Sequence, residues 1–312
     1  MRVAIIGGTG FVGSYIVDEL LLQGHDVSML VRPGSERKVR QPDSTRIVTG
    51  DINSTTSTSD VVTGCDAVIY CVGILREYPR KGITFEATQF EGVANTVEAA
   101  LNCRVKRFIL MSANGVKDPG THYQTTKKRA EDLLLASGLD ATIFRPSVIF
   151  GNPRGQMEFA TQIYRDMVKP PLPAIGFFSG LKPASGTVLM SPVHVADVAR
   201  AFVNSLNNTS TIGETYNLGG PDIVSWTEMI RRVAAATGRQ KWIIPFPIGV
   251  MKLAAAVLDW LPFFPVTRDQ LAMLAEGNTA DPEVIESLIG TAPVAFLPKH
   301  LDYLNGRRNC DG

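Results

Sequence analysis

Tyr123 and Lys127 stand four residues apart in Tyr123-Gln124-Thr125-Thr126-Lys127, and Ser112 lies eleven residues before the tyrosine, at the end of an apolar run. On a helix this spacing puts phenol and ammonium one turn apart on the same face. A neighbouring ammonium favours the phenolate, so the Tyr123 pKa is expected to fall toward working pH, while a serine hydroxyl can hold a carbonyl oxygen during hydride transfer. Ser112, Tyr123 and Lys127 are the candidate catalytic group. A Tyr-x-x-x-Lys pair also arises by chance in 312 residues with 7 tyrosines, so its weight comes from its place after the fifth strand-like run.

A second cluster lies at the amino terminus. Gly8-Thr9-Gly10-Phe11-Val12-Gly13 fits G-x-G-x-x-G, follows Met1-Arg2-Val3-Ala4-Ile5-Ile6-Gly7, and opens a helical pattern. Glycines there permit a tight turn and close approach to a pyrophosphate, with the N–H groups of the first helical turn facing the negative charge. Gly7, Thr9, Gly10, Phe11, Val12 and Gly13 are the expected wrapping residues; a glycine turn without a ligand is the plainer alternative. About 20 residues on, an NAD site would place an acid on the ribose 2′-hydroxyl. Arg32 occupies that place, with Ser35, Arg37 and Lys38 close behind. A guanidinium forks onto a 2′-phosphate, so NADP(H) is the expected cofactor, against the alternative of a solvated basic loop. Asp51 and Ile52 end a third strand, where the carboxylate either meets adenine or caps the following helix. Cys71, Val72 and Gly73 end a fourth, small enough for backbone to lie against a cofactor.

These motifs need a scaffold, and the chain supplies its pattern. Val/Ile-rich runs at Val3–Ile6, Val27–Val31, Arg46–Val48, Ala67–Cys71, Arg107–Met111 and Ala141–Phe144 alternate with helical segments at Phe11–Gln23, Phe85–Leu101 and Tyr123–Ala136. The expectation is an α/β fold: a Rossmann-type doubly wound parallel sheet over residues 1–150, with a smaller lobe over 151–312 that returns segments to it.

Lys+Arg 31 against Asp+Glu 30 leaves a net charge of +1, which argues against nucleic-acid binding. Cys65, Cys71, Cys103 and Cys310 have neither C-x-x-C spacing nor a disulfide framework, so no metal site and a reducing, cytoplasmic setting are expected. The opening strand leaves no room for a signal peptide, and prolines break the apolar stretch Ile243–Val266 before it can span a bilayer.

In their order these residues resemble the extended and atypical branch of the short-chain dehydrogenase/reductase superfamily, which includes epimerase/dehydratase-like proteins. The resemblance rests on Gly7–Gly13, Asp51, Ser112, Tyr123-x-x-x-Lys127 and Arg145-Pro146-Ser147-Val148-Ile149-Phe150-Gly151. Ser191-Pro192-Val193-His194-Val195-Ala196-Asp197, Tyr216-Asn217-Leu218-Gly219-Gly220-Pro221 and Pro265-Val266-Thr267-Arg268-Asp269 extend it to the group containing the dinucleotide-binding accessory subunit of respiratory complex I. It implies that Lys127 also holds the nicotinamide ribose and that Pro146 and Ser147 face the carboxamide. Two departures stand out: Gln89 replaces an asparagine that many active relatives carry, and the strand end reads Met111-Ser112-Ala113-Asn114-Gly115.

Three functions follow. One is a binding module that keeps NADP(H) for structure or regulation near respiratory or quinone metabolism; another is an NADPH-dependent reductase of a carbonyl or quinone-like substrate. A third is an NADPH-sensing regulator. His194 before Asp197 reads as a structural histidine, and Glu158 and Asp166 are not spaced as an acid/base pair. The apolar Ile248–Pro265 region either packs as core or meets a protein partner or a membrane face, which would make the protein peripheral.

Overall fold

The computed structural model describes residues 1–178, 188–249 and 268–306. The apolar runs form β1 (Arg2–Ile6), β2 (Asp26–Val31), β3 (Thr45–Thr49), β4 (Ala67–Tyr70), β5 (Arg107–Met111) and β6 (Asp140–Pro146). All six are parallel, in the order 3-2-1-4-5-6, with Ile5 opposite both Met29 and Ile69, and Ile69 opposite Ile109. Because β1 and β4 are buried on both faces, their sequences run apolar without alternation. The order reverses beside β1, between β2 and β4, which opens the crevice at the carboxyl edge where such sheets take ligands.

Helices α1 (Phe11–Leu22), α2 (Thr55–Val62), α3 (Gly92–Asn102) and α4 (His122–Ala136) connect the strands. A capping box fixes the start of α4: Thr121 Oγ1 accepts from Gln124 N at 3.3 Å, and Gln124 Oε1 accepts from Thr121 N at 2.9 Å. That cap decides which face Tyr123 and Lys127 share. The expected helix over Phe85–Leu101 is in fact a π-turn, Glu86–Glu91, running into α3, and a second π-turn, Tyr164–Val168, follows the short helix Phe159–Ile163. A wide turn leaves no mark in a 3.6-residue pattern. In the first case the Tyr70 hydroxyl reaches the Thr88 carbonyl at 2.5 Å.

The chain forms two compact units. The first comprises residues 1–146, 196–217 and 287–290. Its later segments include most of α5 (Val195–Asn204) and of β7 (Thr215–Leu218), which lies beside β6 and completes a seven-stranded sheet. Arg107, buried at the start of β5, binds this return: its guanidinium donates to Asp140 O (2.7 Å), Ser205 O (2.6 Å) and Thr211 Oγ1 (2.9 Å). Phe144 and Phe202 pack at 4.8 Å between ring centroids.

The second unit comprises residues 147–195, 218–286 and 291–312. Its strands are short pairs: Ile149–Phe150 with Val193–His194, Leu189–Met190 with Val224–Ser225, and Ala174–Phe178 with Ile243–Pro247. Phe150, Phe177, Trp226, Ile230 and Phe296 form its core, and Trp226 Nε1 donates to Ile175 O at 3.0 Å. From residue 250 onward the expected partner surface Ile248–Pro265 lies outside the described residues, as does Cys310. Among the described residues no helix is long and apolar enough to cross a membrane, and no cluster of ligating side chains could hold a metal ion.

Candidate functional site

Gly7 leaves β1 with φ +100°, a conformation that favours glycine. A Cβ on Gly7 would stand 2.9 Å from Cys71 C and Val72 N, and one on Gly13 would stand 2.1 Å from Gly7 O. The turn is thus drawn tight by contacts that only hydrogen permits. Gly10 N donates to Gly7 O at 3.0 Å, Thr9 sits half-buried at the tip, and Phe11 and Val12 open α1. α1 has no side-chain cap and no acid in its first turn, so its N-terminal N–H groups and dipole are left to an anion. This cradle fits a dinucleotide pyrophosphate.

Arg32 follows β2 exposed to solvent, and its guanidinium has no ion pair among the described residues. Ser35 N donates to Arg32 O at 2.9 Å, while the nearby Glu36 carboxylate accepts from Gly34 N at 3.2 Å. Asp51, exposed after β3, accepts from Asn53 N at 2.9 Å, but the cap of α2 is Ser54, so capping is not the role of Asp51. Ile52 is buried and its carbonyl accepts from Asn95 Nδ2 at 3.0 Å. The Cys71 thiol donates to Ile6 O at 3.3 Å, and burial pushes its pKa up to about 12, which leaves it an unreactive thiol.

At the ends of β4 and β5 the reactive types converge. Ser112 is 5% exposed; its N–H donates to Phe144 O at 2.7 Å, but its hydroxyl has no partner. Lys127, also buried, donates from Nζ to Met111 O at 3.2 Å and stands 5.8 Å from the centroid of the Tyr123 ring. A Cβ on Gly73 would touch that Nζ at 3.9 Å. Tyr70, Val72, Gln89, Met111, Ser112 and Lys127 line one narrow pocket. Gln89, the replacement for asparagine, donates from Nε2 to Ile74 O at 3.0 Å and leaves Oε1 buried without a partner.

One expectation is corrected here. Burial pushes the Tyr123 phenol above its ordinary pKa, and Lys127 does not reverse this. Tyr123 is packed edge-on against Phe85 at 5.5 Å, and desolvation outweighs the ammonium. The same desolvation brings Lys127 down to about 8, opposed by Glu131.

Pro146 closes β6 and accepts from Asn114 N at 3.0 Å. Ser147 begins the second unit, where its N–H donates to Leu218 O and its hydroxyl to Asn278 O, each at 2.8 Å. Its proton is therefore already given away. His194 lies edge-on to Phe150 at 5.1 Å, and Glu158 caps its helix while accepting from Tyr303 Oη at 3.2 Å, so neither is an acid/base group in search of a substrate. Sequence reasoning missed the pair of the buried Glu131 on α4 and the half-buried Arg145 on β6, joined through Nε–H at 2.8 Å and through Nη2. The Lys127-x-x-x-Glu131 spacing could have brought Glu131 to notice, but no local signal points to Arg145.

A glycine cradle at the switch point of a parallel sheet, with Ser112 at the end of β5 and Tyr123 and Lys127 on the α4 helix that follows, defines a dinucleotide-binding protein of the short-chain dehydrogenase/reductase type. Residues 7–167, just over half the chain, match the NAD(P)H-binding family, and the chain belongs to it. It is similar to the mitochondrial 40 kDa subunit of NADH-ubiquinone oxidoreductase of Neurospora crassa, 26% identical over 89% of this chain and 72% of that one. It is similar to the ceramide reductase of Caulobacter vibrioides, 27% identical over 82% of this chain and 77% of that one. The crystal structure of the UDP-glucose 4-epimerase of Thermus thermophilus in complex with NAD shares the fold at TM-score 0.72 and 19% identity, covering 100% of both chains.

Proposed function

We propose that the protein is an NADPH-dependent reductase of a carbonyl or quinone-like substrate. The observation that carries this reading is the Ser112 hydroxyl, buried beside Lys127 and bound to nothing. A purely structural nucleotide site has no use for such a group, whose desolvation costs about 1–3 kcal/mol when unpaired. NADPH, when bound, supplies the hydride. The Ser112 hydroxyl donates to the substrate oxygen and orients it, and the Tyr123 phenol gives that oxygen its proton. The raised Tyr123 pKa suits this direction, because the residue stays protonated and acts as an acid. Lys127 holds the nicotinamide ribose and offsets charge left on Tyr123 after proton transfer. NADP over NAD rests on Arg32, free in solvent where an NAD site would carry an acid.

A second reading, NADP(H) retained without turnover, is favoured by the likeness to the 40 kDa subunit across 89% of this chain. Mass spectrometry of the nucleotide released from the purified protein, followed by addition of carbonyl and quinone acceptors, separates the two. Acceptor-dependent oxidation of NADPH that Tyr123→Phe abolishes, with cofactor still bound, supports the reductase. Retained NADPH that no acceptor oxidises supports the second reading, and retained NAD(H) removes the argument from Arg32.

A further inference from the structure

Lys127 is a cation in a place that disfavours cations, being buried among Tyr70, Gln89, Met111 and Ser112. One turn further along α4, on the same face, is Glu131, only 1% exposed. A carboxylate that deep is held by Arg145, whose guanidinium forks onto both of its oxygens from β6. Lys127, Glu131 and Arg145 thus alternate in charge, plus, minus, plus, with Glu131 the most deeply buried of the three.

We propose that Glu131 is a positioning residue that keeps Lys127 protonated in the nucleotide site, with Arg145 fixing the carboxylate in place. This rests on the reading of Lys127 as the lysine that holds the nucleotide. The groups facing Lys127 are Tyr70 at the end of β4, Gly73 beyond it, Gln89 from the π-turn, Met111 O and Ser112 from β5, and Tyr123 and Glu131 from α4. Burial pushes both phenols up, so they stay neutral through the physiological range. Arg145 is paired with Glu131, and Lys128 and Arg129 point to Asp132 and Glu86 instead. Glu131 is therefore the one anion among these groups that faces Lys127. Burial alone carries the ammonium down into the range where an enzyme works, and Glu131 is the charge that opposes the fall. A one-residue change there sets the pH range over which the site can grip its cofactor.

The experiment is fluorescence titration with NADPH from pH 6 to 10 for the full-length protein, Lys127→Arg, Glu131→Gln and Glu131→Asp. It needs no turnover, so it stands apart from the question of reductase activity. In the wild type, affinity is expected to fall at alkaline pH, about tenfold per unit beyond the midpoint, as Lys127 loses its proton. In Lys127→Arg, whose guanidinium stays charged, this alkaline fall should vanish. In Glu131→Gln the midpoint should move to lower pH by about one unit or more, the size a single neighbouring charge produces. Glu131→Asp, which keeps the charge but retracts it, should shift in the same direction by less, and serves if the glutamine variant does not fold. An alkaline fall that persists in Lys127→Arg overturns the reading of Lys127 itself. A fall that vanishes in Lys127→Arg but keeps its midpoint in the folded Glu131 variants overturns the role of Glu131 alone.

Discussion

Gly13 in α1 lies so close to the carbonyl of Gly7 that a methyl group there would sit 2.1 Å from the oxygen. Both contact atoms belong to the backbone turn, which cannot rotate aside as a side chain would. Gly13→Ala is expected to destabilise the protein by about 1–3 kcal/mol and to lose the dinucleotide, checked by urea denaturation and by NADPH titration. Gly10→Ala, whose Cβ would lie 3.2 Å from the same oxygen, should keep the fold and lose only cofactor affinity. Equal stability of Gly13→Ala and the wild type would show that the turn relaxes.

Ser112 separates function from stability. Because its hydroxyl is buried and unpaired, Ser112→Ala should leave stability unchanged or raise it by about 1 kcal/mol, since no bond is lost. Turnover should fall roughly 10²–10³-fold, as when one donor to a developing oxyanion is removed. A large loss of stability in that variant would mean the hydroxyl has a partner within the fold.

Arg32→Asp should weaken NADPH binding by about 1.5–3 kcal/mol, roughly ten- to a hundredfold, and improve NADH binding. Paired titrations with the two nucleotides measure it. Arg32 lies in solvent, so the effect should shrink as salt is raised.

Lys127 works against the fold that holds it. Its pKa falls from 10.5 to about 8 on burial, so between these values the unfolded chain binds more protons than the native one, and stability rises with pH across that window. Below about pH 8 the whole cost is present, on the order of 3 kcal/mol. Lys127→Met should therefore unfold at higher urea than the wild type at pH 7, with the difference shrinking toward pH 10.5. If the wild type is the more stable at pH 7, the hydrogen bond to Met111 O outweighs desolvation.

The sheet is readable in the sequence because its strands are buried on both faces and therefore apolar throughout, and because glycine spacing follows β1 directly. Strand ends from Ile6 to Pro146 fall within two residues of where the apolar runs stop. What stays hidden depends on depth or on distant partners. Tyr123 and Lys127 share a helix face as their spacing requires, yet the direction of the Tyr123 shift follows from how far it is buried, which spacing does not record. Glu131 finds Arg145 across fourteen residues and a strand, and Ser147 finds Asn278 across 131; neither pairing has a local signature. The π-turn that sets Gln89 in the pocket likewise has no period of its own to betray it.

The hold of Arg107 on Ser205 and Thr211 bears on how the protein is made. A ribosome that has released only the first 150 residues has delivered every motif of the nucleotide site, but β6 still lacks its outer neighbour and a buried guanidinium lacks two of its three acceptors. The nascent sheet must wait, with an open edge, until the segment through Leu218 has left the exit tunnel. A gene fragment cut at the apparent end of the dinucleotide motif would be caught permanently in that waiting state, so expression of the site in isolation should yield aggregate, whereas the uncut chain can close its own edge.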